Sequence, residues 1–393
     1  MDKKKILLGV SAAAFLGPFG QTVYTPSLME MGRYFDATPL MVNLTISVFT
    51  AILAMSSFIV GPIADSKGRR AVMIPGLIAF VAGSLLCLFA PTYWVLLLGR
   101  VVQAFGISTG SVVAAAVVGD IYPPAERAHA MSVYQLVTFL GPVFGPVVGG
   151  IVAGYLHWQA AFGVLAVAGL VVALYNQLVL PETLADRKGG SGGASVAGIG
   201  RVFGNRSARS ILLVAFSQFY GYYVFLVFLP VLLSTHFAFS AAQKGLAFIP
   251  LTAGILAGIS MAKRWLGDWP GTRILRIASF AIAIDVLSLC LFLATGILSI
   301  PLLAGVLLIY GILLGGSLPA QSTILVNLFS AERATAMGIY NFVRFNGAAA
   351  GPLVAAMVAD WSGETAVFAV SGGLLLVSAW VIRGSVYDPH ESH

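Results

Sequence analysis

The sequence predicts an all-α membrane protein with twelve transmembrane helices in two six-helix pseudo-repeats, and three observations carry that prediction. Hydrophobic residues make up 59% of the 393-residue chain and charged residues only 9%; the mean hydropathy is +0.93. A soluble globular domain carries charge on about a quarter of its residues, so most of this surface is solvated by lipid. Apolar runs of about 20 residues, long enough to cross a hydrocarbon core, recur along the chain. The stretch from Ala125 to Val152 also returns at Ala331 to Val358 with about half its residues unchanged, among them Glu126/Glu332, Arg127/Arg333, Met131/Met337, Tyr134/Tyr340, Gly141/Gly347, Gly145/Gly351 and Pro146/Pro352. Each copy joins a short charged segment to a long apolar one. Each therefore crosses a membrane boundary, and the two halves are related by duplication.

The first half reads as spans near 6–28, 41–62, 71–91, 93–119, 131–154 and 159–180. Span 1 follows Lys3, Lys4 and Lys5; its apolar run continues past the length of a signal-peptide core, so it reads as an uncleaved membrane helix. Span 6 ends at Pro181-Glu182-Thr183. The following residues include Gly189-Gly190-Ser191-Gly192-Gly193 and read as a flexible linker. The second half then gives spans near 208–233, 244–262, 274–297, 300–326, 336–359 and 363–383. The organisation expected is an N-terminal half at 1–180, a cytoplasmic linker at 181–207 and a C-terminal half at 208–393.

Orientation follows from Lys and Arg in the connections. With a cytoplasmic N-terminus, the inner side collects Lys3 to Lys5, Lys67, Arg69, Arg70, Arg127, Arg187, Lys188, Arg201, Arg206, Arg209, Lys263, Arg264, Arg273, Arg276, Arg333 and Arg383, and the outer side keeps only Arg33 and Lys244. Both termini are then cytoplasmic. The net charge of +7 is a product of this topology and of anionic lipid, and no nucleic-acid partner is implied. Cys87 and Cys290 sit alone in opposite halves and form no metal or thiol motif. Histidines fall at span ends, in a loop or in the tail.

Two motifs carry a family resemblance. Gly61-Pro62-Ile63-Ala64-Asp65-Ser66-Lys67-Gly68-Arg69-Arg70 lies in the turn between spans 2 and 3. It resembles the G-x-x-x-D-R-x-G-R-R/K signature of the major facilitator superfamily, departing at Ser66. Gly141-Pro142-Val143-Phe144-Gly145-Pro146-Val147-Val148-Gly149-Gly150 in span 5 places glycines every four residues on one helix face, where another helix can approach closely, and its prolines bend the same stretch. That run is similar to the antiporter motif of proton-coupled exporters in the superfamily; ordinary small-residue packing is the plainer reading. The repeat copy is eroded, with Ala348 for Pro142 and Ala355 and Ala356 for the last glycines.

Charges inside spans are costly unless they face polar surroundings. Arg100 in span 4 opens Arg100-Val101-Val102-Gln103-Ala104, similar to the family's R-x-x-Q-G motif. The resemblance implies a role in proton transfer, and a structural role bonding backbone carbonyls where helices bend is the alternative. Arg344 in span 11 has Thr138 as its repeat counterpart, so it is not part of the duplicated scaffold. It shares a helix face with Tyr340, Asn341 and Gly347. The run Phe342 to Gly347 resembles span 11 of bicyclomycin-resistance-type exporters. Arg344 is read as a cavity residue needing an anionic partner, either Asp285 or an acidic group on the substrate; a helix–helix ion pair is the alternative. Thr138 and Arg344 are expected at equivalent depths on opposite sides of a central cavity.

Acids are few. Asp285 in span 9 is the one clearly mid-membrane carboxyl, read as a proton carrier or a scaffold hydrogen bonder, and Glu30 lies at the outer end of span 1. The resemblance assigns Asp65, Arg69 and Arg70 of the turn, with Asp120 at the inner end of span 4, to an inner gate. The substrate-facing candidates are Gln21, Tyr24, Gln103, Tyr134, Gln135, Thr138, Gln218, Tyr222, Tyr340, Asn341 and Arg344. Span 7 is rich in aromatics, which suit flat amphipathic molecules or helix packing equally. The function implied is proton-coupled export of small amphipathic molecules or drugs by a monomer in a bacterial cytoplasmic membrane, by alternating access of the two halves. A dedicated siderophore or metabolite exporter uses the same machinery. A receptor would need a ligand or signalling domain, and an enzyme a nucleophile, metal cluster or phosphate loop; none of these is visible, and no cofactor or metal is called for.

Overall fold

The computed structural model describes residues 2–183, 196–329 and 333–387, and among them it is helical with no strand. The helices are α1 (Lys3–Thr22), α2 (Leu28–Tyr34), α3 (Pro39–Lys67), α4 (Arg69–Leu88), α5 (Tyr93–Ile121), α6 (Pro124–Tyr155), α7 (Ala160–Val179), α8 (Val196–Gly204), α9 (Arg206–Phe237), α10 (Ala241–Leu246), α11 (Ile249–Asp268), α12 (Gly271–Ala294), α13 (Ile300–Leu328) and α14 (Arg333–Arg383). Among the described residues eleven stretches are long and apolar enough to cross a membrane, and the last of these is two helices run together. Gly363, with φ of 78°, breaks α14 at the joint, a backbone conformation that favours glycine. Twelve crossings result.

Local chemistry explains the ends. The Asp2 carboxylate accepts from the Lys4 and Lys5 amides to cap α1, and the hydroxyls of Thr38 and Thr92 cap α3 and α5. The first crossing runs from Lys3 to Tyr34, further than the expected 6–28, because it is interrupted rather than ended. Pro26 has no backbone N–H, and the chain takes one 3₁₀ turn at Thr25–Ser27 before α2. There the Thr25 hydroxyl donates to the Thr22 carbonyl at 2.8 Å.

The chain divides into two compact units, Met1–Gly193 with Leu233–Leu246 and Ala194–Leu232 with Ala247–His393. The segment Leu233–Leu246, which holds the end of α9 and all of α10, thus packs with the first unit. The segment expected as linker contains α8. Inside the first unit α4 packs on α5 and α7, and α1 packs on α5 and α6. Small residues allow this: a Cβ on Gly106 would meet the Gly76 carbonyl at 2.6 Å, and one on Gly83 the Gln103 amide at 2.6 Å. Inside the second unit α11 packs on α13, and α12 on α13 and α14. A core of Ile211, Leu212, Leu275, Ile324, Ile339, Tyr340 and Ile382 ties α9, α12, α13 and α14 together.

Candidate functional site

The glycines of span 5 sit where α6 crosses α1 and α10. A Cβ on Gly141 would meet the Phe19 amide at 2.8 Å and the Phe15 carbonyl at 2.9 Å; one on Gly145 or Gly149 would run into Thr22 or the Val23 carbonyl. On the adjacent face, Gly150 lies against Gly245 and Ala241, its Cβ position 2.6 Å from the Gly245 Cα. The motif therefore brings backbone against backbone on two sides, at the height where α1 gives way to its 3₁₀ turn. Pro142 and Pro146 lie inside the same helix.

Arg100 is fully buried between α1, α3 and α5. It donates to the Gly20 carbonyl at 3.0 Å, to Gln103 Oε1 at 2.8 Å and to the Thr45 carbonyl at 3.4 Å. Its guanidinium lies 4.0 Å from the Phe49 ring centroid and 4.6 Å from that of Tyr24. Gly20 is among the last four residues of α1, whose carbonyls lose their helical donors, so the arginine helps to complete the end of a broken helix. Gln103 is held in turn, donating to Ser84 Oγ at 2.7 Å. Tyr24 is hydrogen-bonded to Thr45 Oγ1 at 3.0 Å, and Gln21 donates to Thr50 Oγ1 at 3.1 Å. Among the described residues no carboxylate hydrogen-bonds Arg100.

The charged turn is built around Gly68, whose φ of 100° starts α4. The Glu182 carboxylate accepts from the Arg69 amide at 2.8 Å and the Arg70 amide at 3.2 Å, so a residue 113 positions away caps this helix. Arg69 Nε donates to Asp120 Oδ2 at 3.1 Å, and Thr183 donates to the same oxygen at 3.3 Å. Arg70 donates to the carbonyls of Leu180 and Gln177, tying the turn to the end of α7.

In the second unit the polar groups gather around Gln218 of α9. Its Oε1 accepts from Ser317 Oγ at 2.7 Å and Gln321 Nε2 at 2.8 Å, and its backbone carbonyl accepts from the Tyr310 hydroxyl at 2.9 Å. Tyr340 donates to Gln321 Oε1 at 3.3 Å. Arg344 stands over Tyr340, Phe345 and Phe219, with ring centroids 5.4, 5.2 and 4.5 Å from its guanidinium carbon. Neither Arg344 Nε nor Gln218 Nε2, both buried, has a hydrogen-bond partner. Asp285 on α12 is 7% exposed, and its Oδ2 has no partner. Arg344 makes no ion pair among the described residues, with Asp285 or any other acid.

These features, a glycine-stripped span 5, a charged turn and a buried span 4 arginine, stand on one chain of twelve crossings, and the sequence model of the Major Facilitator Superfamily matches residues 10–345 and 286–393. The chain belongs to the Major Facilitator Superfamily. The multidrug resistance protein MdtL of Salmonella dublin is 30% identical over 266 residues, which cover 66% of this chain and 64% of that protein. The multidrug transporter AQR1 of Candida glabrata is 32% identical over 183 residues, 46% of this chain and 31% of that protein. The uncharacterized MFS-type transporter YdgK of Bacillus subtilis is 30% identical over 205 residues, 51% of this chain and 50% of that protein. The chain thus spans less than two thirds of the length of these relatives. Among solved structures, a D-xylose-proton symporter superposes with a TM-score of 0.79 at 16% identity, covering 99% of both chains. A bacterial homolog to the human lysosomal transporter Spinster gives 0.78 at 18% identity, covering 97% of this chain and 96% of that one. Such likeness establishes the twelve-helix major facilitator fold of a multi-pass membrane protein.

Of the candidate residues, Tyr24, Gln103 and Arg100 come together inside the first unit; Gln218, Tyr340 and Arg344 come together inside the second. Tyr134 of α6 donates to the Ser111 carbonyl of α5 at 3.1 Å, and Thr138 donates back to the Tyr134 carbonyl at 2.9 Å. Tyr222 is buried beside Tyr223, ring centroids 5.5 Å apart. Asn341 and Glu30 are half-buried. Asp65 and Gln135 lie on α3 and α6, but their side chains fall outside the described residues. A cavity of about 300 Å³ lined by Met261, Arg264, Trp265, Asp268 and Trp269 touches none of the candidates. Glu182, Ser317 and Thr45 carry contacts that sequence reasoning did not assign; only Glu182, standing after a helix-ending proline, left a signal.

Proposed function

We propose that the chain is a secondary transporter of the bacterial cytoplasmic membrane, with both termini cytoplasmic, that exports small amphipathic molecules in exchange for protons. The observation that carries this reading is the glycine face of α6, packed backbone to backbone on α1 and α10. It resembles the exporters' antiporter motif, and relatives such as MdtL and AQR1 bear multidrug-transporter names. The halves 1–180 and 208–393, joined at 181–207, are the moving parts of alternating access, and one copy of the chain suffices.

Asp285 is the proton carrier in this reading. A buried carboxyl with no neutralising neighbour is expensive to keep charged or to leave unpaired, so it is retained for use. Arg100 supports the reading differently: its donors are directed at α1, α3 and Gln103, which suits holding the broken first span during the cycle. The test is a pH jump across proteoliposomes containing the purified protein, with ethidium as cargo. Parent protein accumulates ethidium against its gradient when the lumen is acid, and Asp285→Asn loses the pH-driven component while retaining cargo exchange at equal pH. Accumulation that ignores the pH gradient, or an Asp285→Asn variant that pumps like the parent, overturns it.

A further inference from the structure

Arg100 and Arg344, both inside membrane crossings, are treated in different ways, and the difference points to a ligand. Arg100 spends Nε and Nη1 on two carbonyls and a glutamine, and only its Nη2 is left without a partner. Arg344 has three aromatic rings around it, no acid and no acceptor for Nε. Rings stabilise a cation through their faces, but they leave its N–H groups unfilled in the ring plane, where carboxylates bind. Its repeat counterpart Thr138 is bonded within its own helix, so the fold does not require a cation at this position.

The neighbouring polar side chains are committed to one another. Tyr340 sends its hydroxyl proton to Gln321 Oε1, and Gln321 Nε2 and Ser317 Oγ donate to Gln218 Oε1. None of these bonds involves Arg344, whose Nε is left unfilled where the guanidinium lies beside Phe219 and Phe345.

We propose that Arg344 forms the acid-recognition subsite of the transporter and that its preferred cargo is a planar aromatic carboxylate. The carboxylate oxygens take the guanidinium donors and the ring lies against Phe219 and Phe345. This inference rests on the transport reading and narrows its cargo.

The test compares three probes of one shape on the purified full chain in detergent: 2-naphthoate, its neutral amide 2-naphthamide, and the cation N,N,N-trimethyl-2-naphthylammonium. Titration calorimetry on the parent is expected to rank naphthoate first. Arg344→Gln removes the charge and weakens naphthoate about tenfold to a hundredfold, the range of a charged hydrogen bond, while naphthamide changes less than about twofold. Arg344→Lys, with charge but no fork, falls between. Equal binding of the three probes by the parent, or an equal loss of all three in Arg344→Gln, overturns the subsite. Naphthoate binding without pH-driven flux in proteoliposomes supports the subsite and sinks proton antiport. Ethidium flux driven by pH with no naphthoate preference does the reverse.

Discussion

Replacing Arg100 separates a clamp from a proton-transfer group. Arg100→Gln leaves the carbonyls of Gly20 and Thr45 and the Gln103 amide facing a space the guanidinium filled, in a position with no exposure. Each hydrogen bond to a charged group contributes about 1.5–3 kcal/mol, and orphaned buried acceptors add to the loss. Part is returned because the guanidinium no longer has to be held out of water, so the net destabilisation is about 3–5 kcal/mol. The stacking over Phe49 and Tyr24 contributes about 1 kcal/mol of this. Arg100→Lys keeps a charge but reaches fewer acceptors and falls roughly midway. The assay is intrinsic-fluorescence melting of the detergent-purified protein at a fixed scan rate, since unfolding of such a protein is read as a rate, run beside cargo exchange at equal pH and pumping under a pH gradient. A clamp predicts that melting temperature, exchange and pumping fall together. If Arg100→Gln melts and exchanges like the parent and loses only pH-driven pumping, the clamp argument is refuted.

Gly149→Ala puts a methyl group into the Val23 carbonyl and is expected to cost about 1–3 kcal/mol by overpacking; Gly119→Ala, with nothing within 4 Å of the added carbon, serves as control and should melt like the parent. Glu182→Gln removes the charge that caps α4 at the Arg69 and Arg70 amides and should lower stability by about 1 kcal/mol; an unchanged melting curve would show that the cap contributes nothing. Asp65→Asn and Asp120→Asn are each expected to reduce transport while leaving membrane insertion unchanged; Asp120 accepts from Arg69 in a part-buried pair. Full transport by either well-expressed variant removes that charge from the gate.

The crossings were legible because each is long, apolar and punctuated by charge, and because the duplication counts them twice. The joint between the last two crossings was legible as a break but its cause is one residue, Gly363. The fate of Leu233–Leu246 was not legible. Periodicity places α10 at the start of a crossing in the second half, whereas its small residues Ala241, Ala242 and Gly245 match the spare faces of Gly150 and Gly154, a complementarity between segments nearly a hundred residues apart. The same limit hid Glu182: its sequence neighbours announce a helix end, and its partners are two amides in the opposite part of its unit. For Arg100 the sequence required burial against polar groups; which groups, carbonyls of α1 and α3, depends on where α1 breaks.

The duplication explains what is scaffold, and its erosion explains what is not. Gly141 packs on the backbone of Phe15 and Phe19 in α1, and its copy Gly347 packs on Phe216 in α9. Gly145 lies on Thr22, and its copy Gly351 lies on the Tyr220 carbonyl. One inherited contact, a small-residue helix laid on the first helix of its half, thus recurs in both units. Past those two glycines the copies diverge: Gly149 and Gly150 keep two faces bare for α1 and α10, while Ala355 and Ala356 are simply buried. At the preceding turn the divergence runs the other way, because Thr138 is satisfied by its own helix and Arg344 Nε has no acceptor. A buried donor without an acceptor lowers stability, so packing alone favours the threonine over the arginine. The asymmetry gives the first half tight, backbone-level packing and supports the acid subsite proposed for the second.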